Sequence, residues 1–170
     1  VKPAGSFPKP RKLADYRFGD ICYEYLDKIV KLCKDNGINL VLLKAPSLYP
    51  HWYDEWDEQI VDYAKKNDLL YINMLDHLEQ IGLDYSTDTY DAGLHLNLSG
   101  AEKASVFLGK ILQKEFNLVD KRQDEDLKAV WQEKIDAYYK MKEEQYKELE
   151  EYGYLLKFNL KRAEEDNRQQ

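Results

Sequence analysis

Apolar residues recur at Ile21, Tyr25, Ile29, Val30, Leu32 and Cys33. That three-to-four spacing predicts an amphipathic helix over residues 20–36, and Asn36-Gly37 supplies its stop signal. The next run, Ile38–Ala45 (INLVLLKA), is nearly continuous in apolar side chains and ends at Pro46. Such a run predicts a strand buried on both faces, as in a parallel sheet. Trp52, Trp56, Ile60, Tyr63 and Ala64 return to helical spacing as far as Asn67. Leu69–Met74 (LLYINM) predicts a second buried strand. Strand, helix and strand at this spacing make a right-handed βαβ unit with parallel strands. Their carboxyl ends fall at Ala45-Pro46-Ser47 and Asn73-Met74, and ligands of open α/β sheets sit beyond such ends.

Leu75–Ile81 reads as a short helix and residues 82–98 as a long polar loop. Ser99-Gly-Ala-Glu102 has the form of a capping box, in which Ser99 accepts from the Glu102 amide. Ala104, Phe107, Leu108, Ile111, Leu112 and Phe116 then predict a helix that covers the sheet. From Asp124 the chain is highly charged, with a narrow stripe at Leu127, Trp131, Ile135, Tyr138, Leu149, Tyr152 and Leu156. This predicts one or two long helices, bending at Gly153, suited to a coiled-coil partner or to packing along a domain edge. Glu164–Gln170 reads as frayed. The organisation expected is an irregular lead-in over 1–19, an α/β core over 20–120 and a charged helical extension over 121–170.

Composition narrows the function classes. The chain has 170 residues and a formal net charge of -7, which argues against broad nucleic-acid binding. Mean hydropathy is -0.72, and the run Ile38–Leu43 falls far short of the ~20 residues of a spanning helix. Fourteen tyrosines and 13% aromatic residues are too many for a disordered chain. Cys22 and Cys33 lie on one predicted helix, ~16 Å apart along its axis, too far for a disulfide. Both read as buried thiols.

The sharpest chemical feature is Asp88-Thr-Tyr-Asp91-Ala-Gly-Leu-His95-Leu-Asn97. A carboxylate a few residues before a histidine on one loop can hold one imidazole nitrogen and leave the other to act on a hydroxyl. The plainer alternative is a surface loop of turn-forming residues with a hydrogen-bonded histidine. Ser47, at the end of the first strand, is the only serine placed to act as a local nucleophile, and a turn or cap role competes with that reading. Tyr49, Trp52, Tyr53 and Trp56 offer either a sugar-stacking platform or sheet packing by the two tryptophans with the tyrosines at a rim. His51, His77 and His95 have no metal-ligand spacing, and there is no Gly-rich phosphate loop, so neither a metal nor a cofactor is expected.

Residues 91–103 (DAGLHLNLSGAEK) resemble the last block of the SGNH/GDSL hydrolase superfamily, which carries the Asp and His of its catalytic triad. Residues 25–47 resemble the helix and strand that precede the last crossover in bacterial, extracytoplasmic members acting on acylated cell-surface polymers. The resemblance implies a three-layer, flavodoxin-like α/β fold with a parallel sheet. It implies His95 as general base, Asp91 as its orienter with Asp88 the alternative, and Asn97, Ser47 and Tyr49 at the substrate. It implies an acylated carbohydrate or another ester as substrate. Two departures stand out. The family's Gly-Asp-Ser-like block and its oxyanion-hole residues have no counterpart here, so the expectation is a partial fold needing a Ser-bearing N-terminal segment or a second copy of the chain. The family's Asp-x-x-His spacing is also lengthened by one, with Ala92 at the usual Asp position. A non-catalytic scaffold that assembles through the C-terminal helix is the alternative function.

Overall fold

The computed structural model describes residues 9–159. The chain divides into two compact units, Val1–Ile111 and Leu112–Gln170. The first unit is mixed α/β. Helix α1 (Asp20–Asp35) leads to strand β1 (Val41–Lys44), helix α2 (Asp54–Asn67) and strand β2 (Leu70–Asn73). A 3-10 turn (Met74–His77) and a one-turn helix α3 (Leu78–Ile81) follow, then a long loop and helix α4 (Leu98–Phe116), which runs past the division between the units.

Strands β1 and β2 pair in parallel, with Val41 opposite Leu70 and Lys44 opposite Asn73. Side chains alternate across β2, as the pleat requires. Leu70 and Ile72 join a core with Met74, Ile81 and Ala104, flanked by Val41, Leu96, Phe107, Leu108 and Ile111. Tyr71 and Asn73 point the other way, and both donate to Asp57 Oδ1 on α2, at 2.6 and 3.0 Å. Helices α2 and α4 therefore serve opposite faces of the sheet. No helix among the described residues is long and apolar enough to cross a membrane.

The expected double burial of the first strand does not hold. Leu43 is 45% exposed, and Ile38 just before the strand is 56% exposed. The reason is the extent of the sheet: among the described residues it has two strands, so β1 is an edge and part of its apolar surface has nothing packed on it. The cysteines also depart from expectation. Cys22 is exposed and Cys33 half-buried, both as free thiols, because α1 turns Val30 rather than its cysteine edge into the core.

The irregular lead-in is tied down from residue 11 onward. The Arg11 amide donates to the Tyr53 hydroxyl, which donates to Arg11 O at 2.6 Å. The Phe18 amide donates to Gln59 Oε1, and Gln59 Nε2 donates to Tyr16 O. Phe18 sits 6.3 and 6.0 Å from Trp52 and Trp56, whose own rings lie 5.6 Å apart. The tryptophans are thus packing residues.

In the second unit, helix α5 (Glu125–Tyr152) starts where Asp124 accepts from the Leu127 amide at 3.2 Å. It stops at Gly153, whose φ of 73° ends the helix rather than bending it. The chain then turns back, and the Leu156 amide donates to Glu148 Oε2 at 3.0 Å. No residue of α5 is buried. The proposed frayed tail, Glu164–Gln170, lies outside the described residues, as do residues 1–8 of the lead-in.

Candidate active site

The loop between α3 and α4 is built by short polar side chains that bond their own backbone. Asp84 accepts from the Ser86 amide and hydroxyl at 2.8 and 2.6 Å. The Thr87 and Asp88 amides then return to Asp84 O, closing a turn. An antiparallel bridge joins Thr89 to Leu96, and the Asn97 amide donates to Asp88 O at 2.9 Å. The intervening residues form a tight excursion, with Ala92 at φ 63° and Gly93 at φ 96°. Two consecutive left-handed residues reverse the chain within four positions and bring residue 95 back over residue 91.

Asp91 holds His95 twice. Its Oδ1 accepts from the His95 backbone amide at 2.7 Å, and its Oδ2 meets His95 Nδ1 at 2.6 Å. With Asp91 ionised, Nδ1 carries the proton and Nε2 presents its lone pair. The ring lies flat against Tyr90, 5.7 Å between centroids and 9° between planes. The imidazole is exposed, and no described residue hydrogen bonds to Nε2. Burial nudges the Asp91 carboxyl upward, but the ring and backbone N–H of His95 outweigh it and hold the group below the usual carboxylate range.

The alternative orienter, Asp88, is excluded by its own contacts. It is fully buried and faces α4, where Oδ2 meets Lys103 Nζ at 2.6 Å and Oδ1 accepts from the Ser99 hydroxyl at 2.8 Å. The Asp84 amide donates a third bond to it at 2.8 Å. Burial alone would raise this carboxyl, but the three donors keep it below its ordinary value. Asp88 is the bolt that fixes the loop to the helix.

The loop is fastened to the carboxyl end of β1 as well. The Leu48 amide donates to Gly93 O at 2.8 Å, and the buried Tyr85 hydroxyl donates to Pro46 O at 2.7 Å. A Cβ on Gly93 would stand 2.7 Å from Leu48 Cδ1 and push that side chain aside, and the φ of 96° favours glycine as well. The His95 loop therefore sits at the end of the sheet where the topology places ligands.

Two of the three sequence-predicted substrate residues have other duties. Asn97 caps α4: its Oδ1 accepts from the Gly100 amide at 3.2 Å, and its Nδ2 donates to Thr87 O at 2.7 Å. The capping box expected at Ser99 is displaced by this arrangement. Ser99 lies inside the first turn of α4, and its hydroxyl serves Asp88. Ser47 donates its hydroxyl to Tyr49 O at 2.8 Å and accepts from the Tyr49 amide at 3.3 Å. That is a closed local turn, and it turns the oxygen away from a nucleophile's role. Tyr49 is 43% exposed, followed by a cis bond to Pro50.

Sequence reading missed two elements of this end of the sheet. Tyr90 was not singled out, although its place between Asp88 and Asp91 puts it beside the histidine. Lys44, the last residue of β1, donates to Ala45 O and Ser47 O at 2.6 and 3.1 Å and lies 5.4 Å from the Trp52 ring. Its partial burial lowers its pKa. No group of His, Cys, Asp and Glu among the described residues is arranged to hold a metal ion. Comparison with protein-family models, with curated proteins and with solved structures returns no match.

Proposed function

We propose that the first unit is the histidine–aspartate arm of a serine-type ester hydrolase or acyltransferase of the SGNH/GDSL kind. Its two strands would be part of a larger, three-layer, flavodoxin-like sheet. The observation that carries this reading is the double grip of Asp91 on His95 with Nε2 left open. A general base needs a fixed tautomer, a fixed orientation and an accessible nitrogen, and this loop supplies all three. In the reaction His95 Nε2 takes the proton of a serine hydroxyl as that oxygen attacks an ester carbonyl, then returns it to the leaving alcohol. Asp91 stays ionised and stabilises the imidazolium. No described serine hydrogen bonds to His95, and in this reading the nucleophile and the oxyanion donors are supplied by polypeptide outside the described residues. The substrate is an ester, with an O-acylated glycan as the class the resemblance favours.

The test is p-nitrophenyl acetate hydrolysis by the protein as its gene encodes it, with and without His95→Ala. Turnover is expected, falling by about 10³-fold or more in His95→Ala. Turnover untouched by His95→Ala overturns the assignment.

The scaffold reading draws on a separate observation: Val130, Trp131, Tyr139 and Tyr146 on α5 are each more than half exposed. It expects assembly to depend on those residues and His95→Ala to leave assembly unchanged.

A further inference from the structure

Helix α1 has two apolar faces, and only one is used. Val30 is buried, Tyr23 stacks near Tyr63 at 5.8 Å, and Asp27 accepts from the Tyr63 hydroxyl at 2.6 Å, which places that side of α1 against α2. The neighbouring stripe is bare: Ile21, Tyr25, Ile29 and Leu32 are 57%, 59%, 47% and 61% exposed. Their spacing of four, four and three makes one continuous line about 16 Å long. Four large apolar groups in a line on solvent mark a contact surface.

The charges beside this line identify what fits it. One flank carries Asp20 and Glu24 toward the amino end and Lys28 and Lys31 toward the carboxyl end. Within one helix, Glu24 meets Lys28 at 2.6 Å, and Lys28 lies over the Tyr25 ring at 4.6 Å. A twofold axis through the middle of the stripe packs α1 against its own copy antiparallel, and it brings the same flank of both helices together. Ile21 then faces Leu32 of the second copy, and Tyr25 faces Ile29. On the flank Glu24 faces Lys28 of the second copy, Asp20 faces Lys31, and each pair occurs twice. Parallel packing would set this charged flank against the opposite, uncharged flank of the second helix, the side of Cys22, Leu26 and Cys33. Only the antiparallel orientation pairs the charges of this flank.

We propose that the exposed stripe of α1 is the contact surface between two copies of this chain, paired antiparallel about a twofold axis. The contact stands independently of the hydrolase reading. It is smaller than a standard interface, so the dimer is weak, with a dissociation constant on the order of 10–100 µM.

Sedimentation equilibrium over a concentration series tests it on the 170-residue chain. Mass is expected to rise from 20.1 kDa toward twice that value. Ile29→Asp should abolish the rise while circular dichroism stays unchanged, since Ile29 is exposed in the single copy. Glu24→Lys alone, or Lys28→Glu alone, should weaken association about tenfold. The two together should restore it, which a loss of fold or a generic change in charge would not do. A monomer persisting to ~1 mM overturns the proposal. So does a dimer insensitive to Ile29→Asp, or a double variant as weak as either single one.

Discussion

The contact that holds the His95 loop in place is the buried Asp88 carboxylate, and removing it should be the most informative single change in the first unit. Only 1% of the Asp88 side chain is exposed, against 38% of Lys103. In Asp88→Ala three donors lose their acceptor: the Asp84 amide, the Ser99 hydroxyl and the Lys103 ammonium. Lys103 recovers water because more than a third of it is exposed, so its Coulombic share is heavily screened. The half-buried amide and hydroxyl recover less, at about 1–2 kcal/mol each. The sum is about 3 kcal/mol, at the low end of the cost of breaking a buried ion pair. Lys103→Met leaves the carboxylate buried with two donors, at about 2 kcal/mol.

The assay is urea unfolding followed by tryptophan fluorescence in a Trp131→Phe background, so that Trp52 and Trp56 report on the first unit. A loss of about 3 kcal/mol moves the midpoint down by roughly 1–2 M. The double variant should lose less than the sum of the singles, because the two share one contact. Acid supplies an independent readout. The folded Asp88 carboxyl lies below its ordinary 3.8, so its contribution is complete above that value and disappears as pH falls through the folded one. Asp88→Ala should therefore flatten the acid limb of the stability curve below about pH 4. An Asp88→Ala midpoint within ~0.5 kcal/mol of the parent, with an unchanged acid limb, would refute the anchoring role.

Other changes probe the same loop. Gly100→Ala places a Cβ against Asp88 O, a backbone atom fixed by the Asn97 amide, and should cost about 2–3 kcal/mol in urea unfolding. Ala92→Gly relieves a left-handed alanine, offset by the wider freedom of glycine in the unfolded chain, and should raise stability by about 0.5 kcal/mol. Tyr85→Phe loses the bond to Pro46 O and should cost about 1 kcal/mol. Burial pushes the Tyr85 hydroxyl up to about 12 from 10.0, so its neutral form is favoured by folding. That contribution is complete below pH 10 and lost as pH rises toward about 12, a loss that alkaline unfolding should show and Tyr85→Phe should remove. Asp91→Ala should speed hydrogen exchange at the His95 amide while leaving the Asp84 amide protected, since the two bonds end on different carboxylates.

The extent to which the chain could be read in advance follows the range of the interactions involved. Helix α1, β1, α2 and β2 stand where periodicity put them, because amphipathic spacing and apolar runs are properties of a dozen neighbouring residues. Burial of β1 was not legible from INLVLL: the same letters suit a central strand or an edge, and only the number of paired strands decides between them. The loop shows the contrast most sharply. On paper Asp91 is the preferred partner of His95 and Asp88 an open alternative. The left-handed pair at residues 92 and 93 returns the chain onto Asp91, a local event signalled in part by Gly93. Asp88 is committed instead to Lys103, fifteen residues on and one turn into α4, which no short motif announces. The cap of α4 is displaced from the expected Ser99 as well. Ser99 lies inside the first turn of α4 with its hydroxyl donated to Asp88, and Asn97, one residue before the helix, accepts from the Gly100 amide as the cap. Burial of this one carboxylate thus takes Asp88 away from the histidine, leaves that role to Asp91 and ties the loop to the first turns of α4.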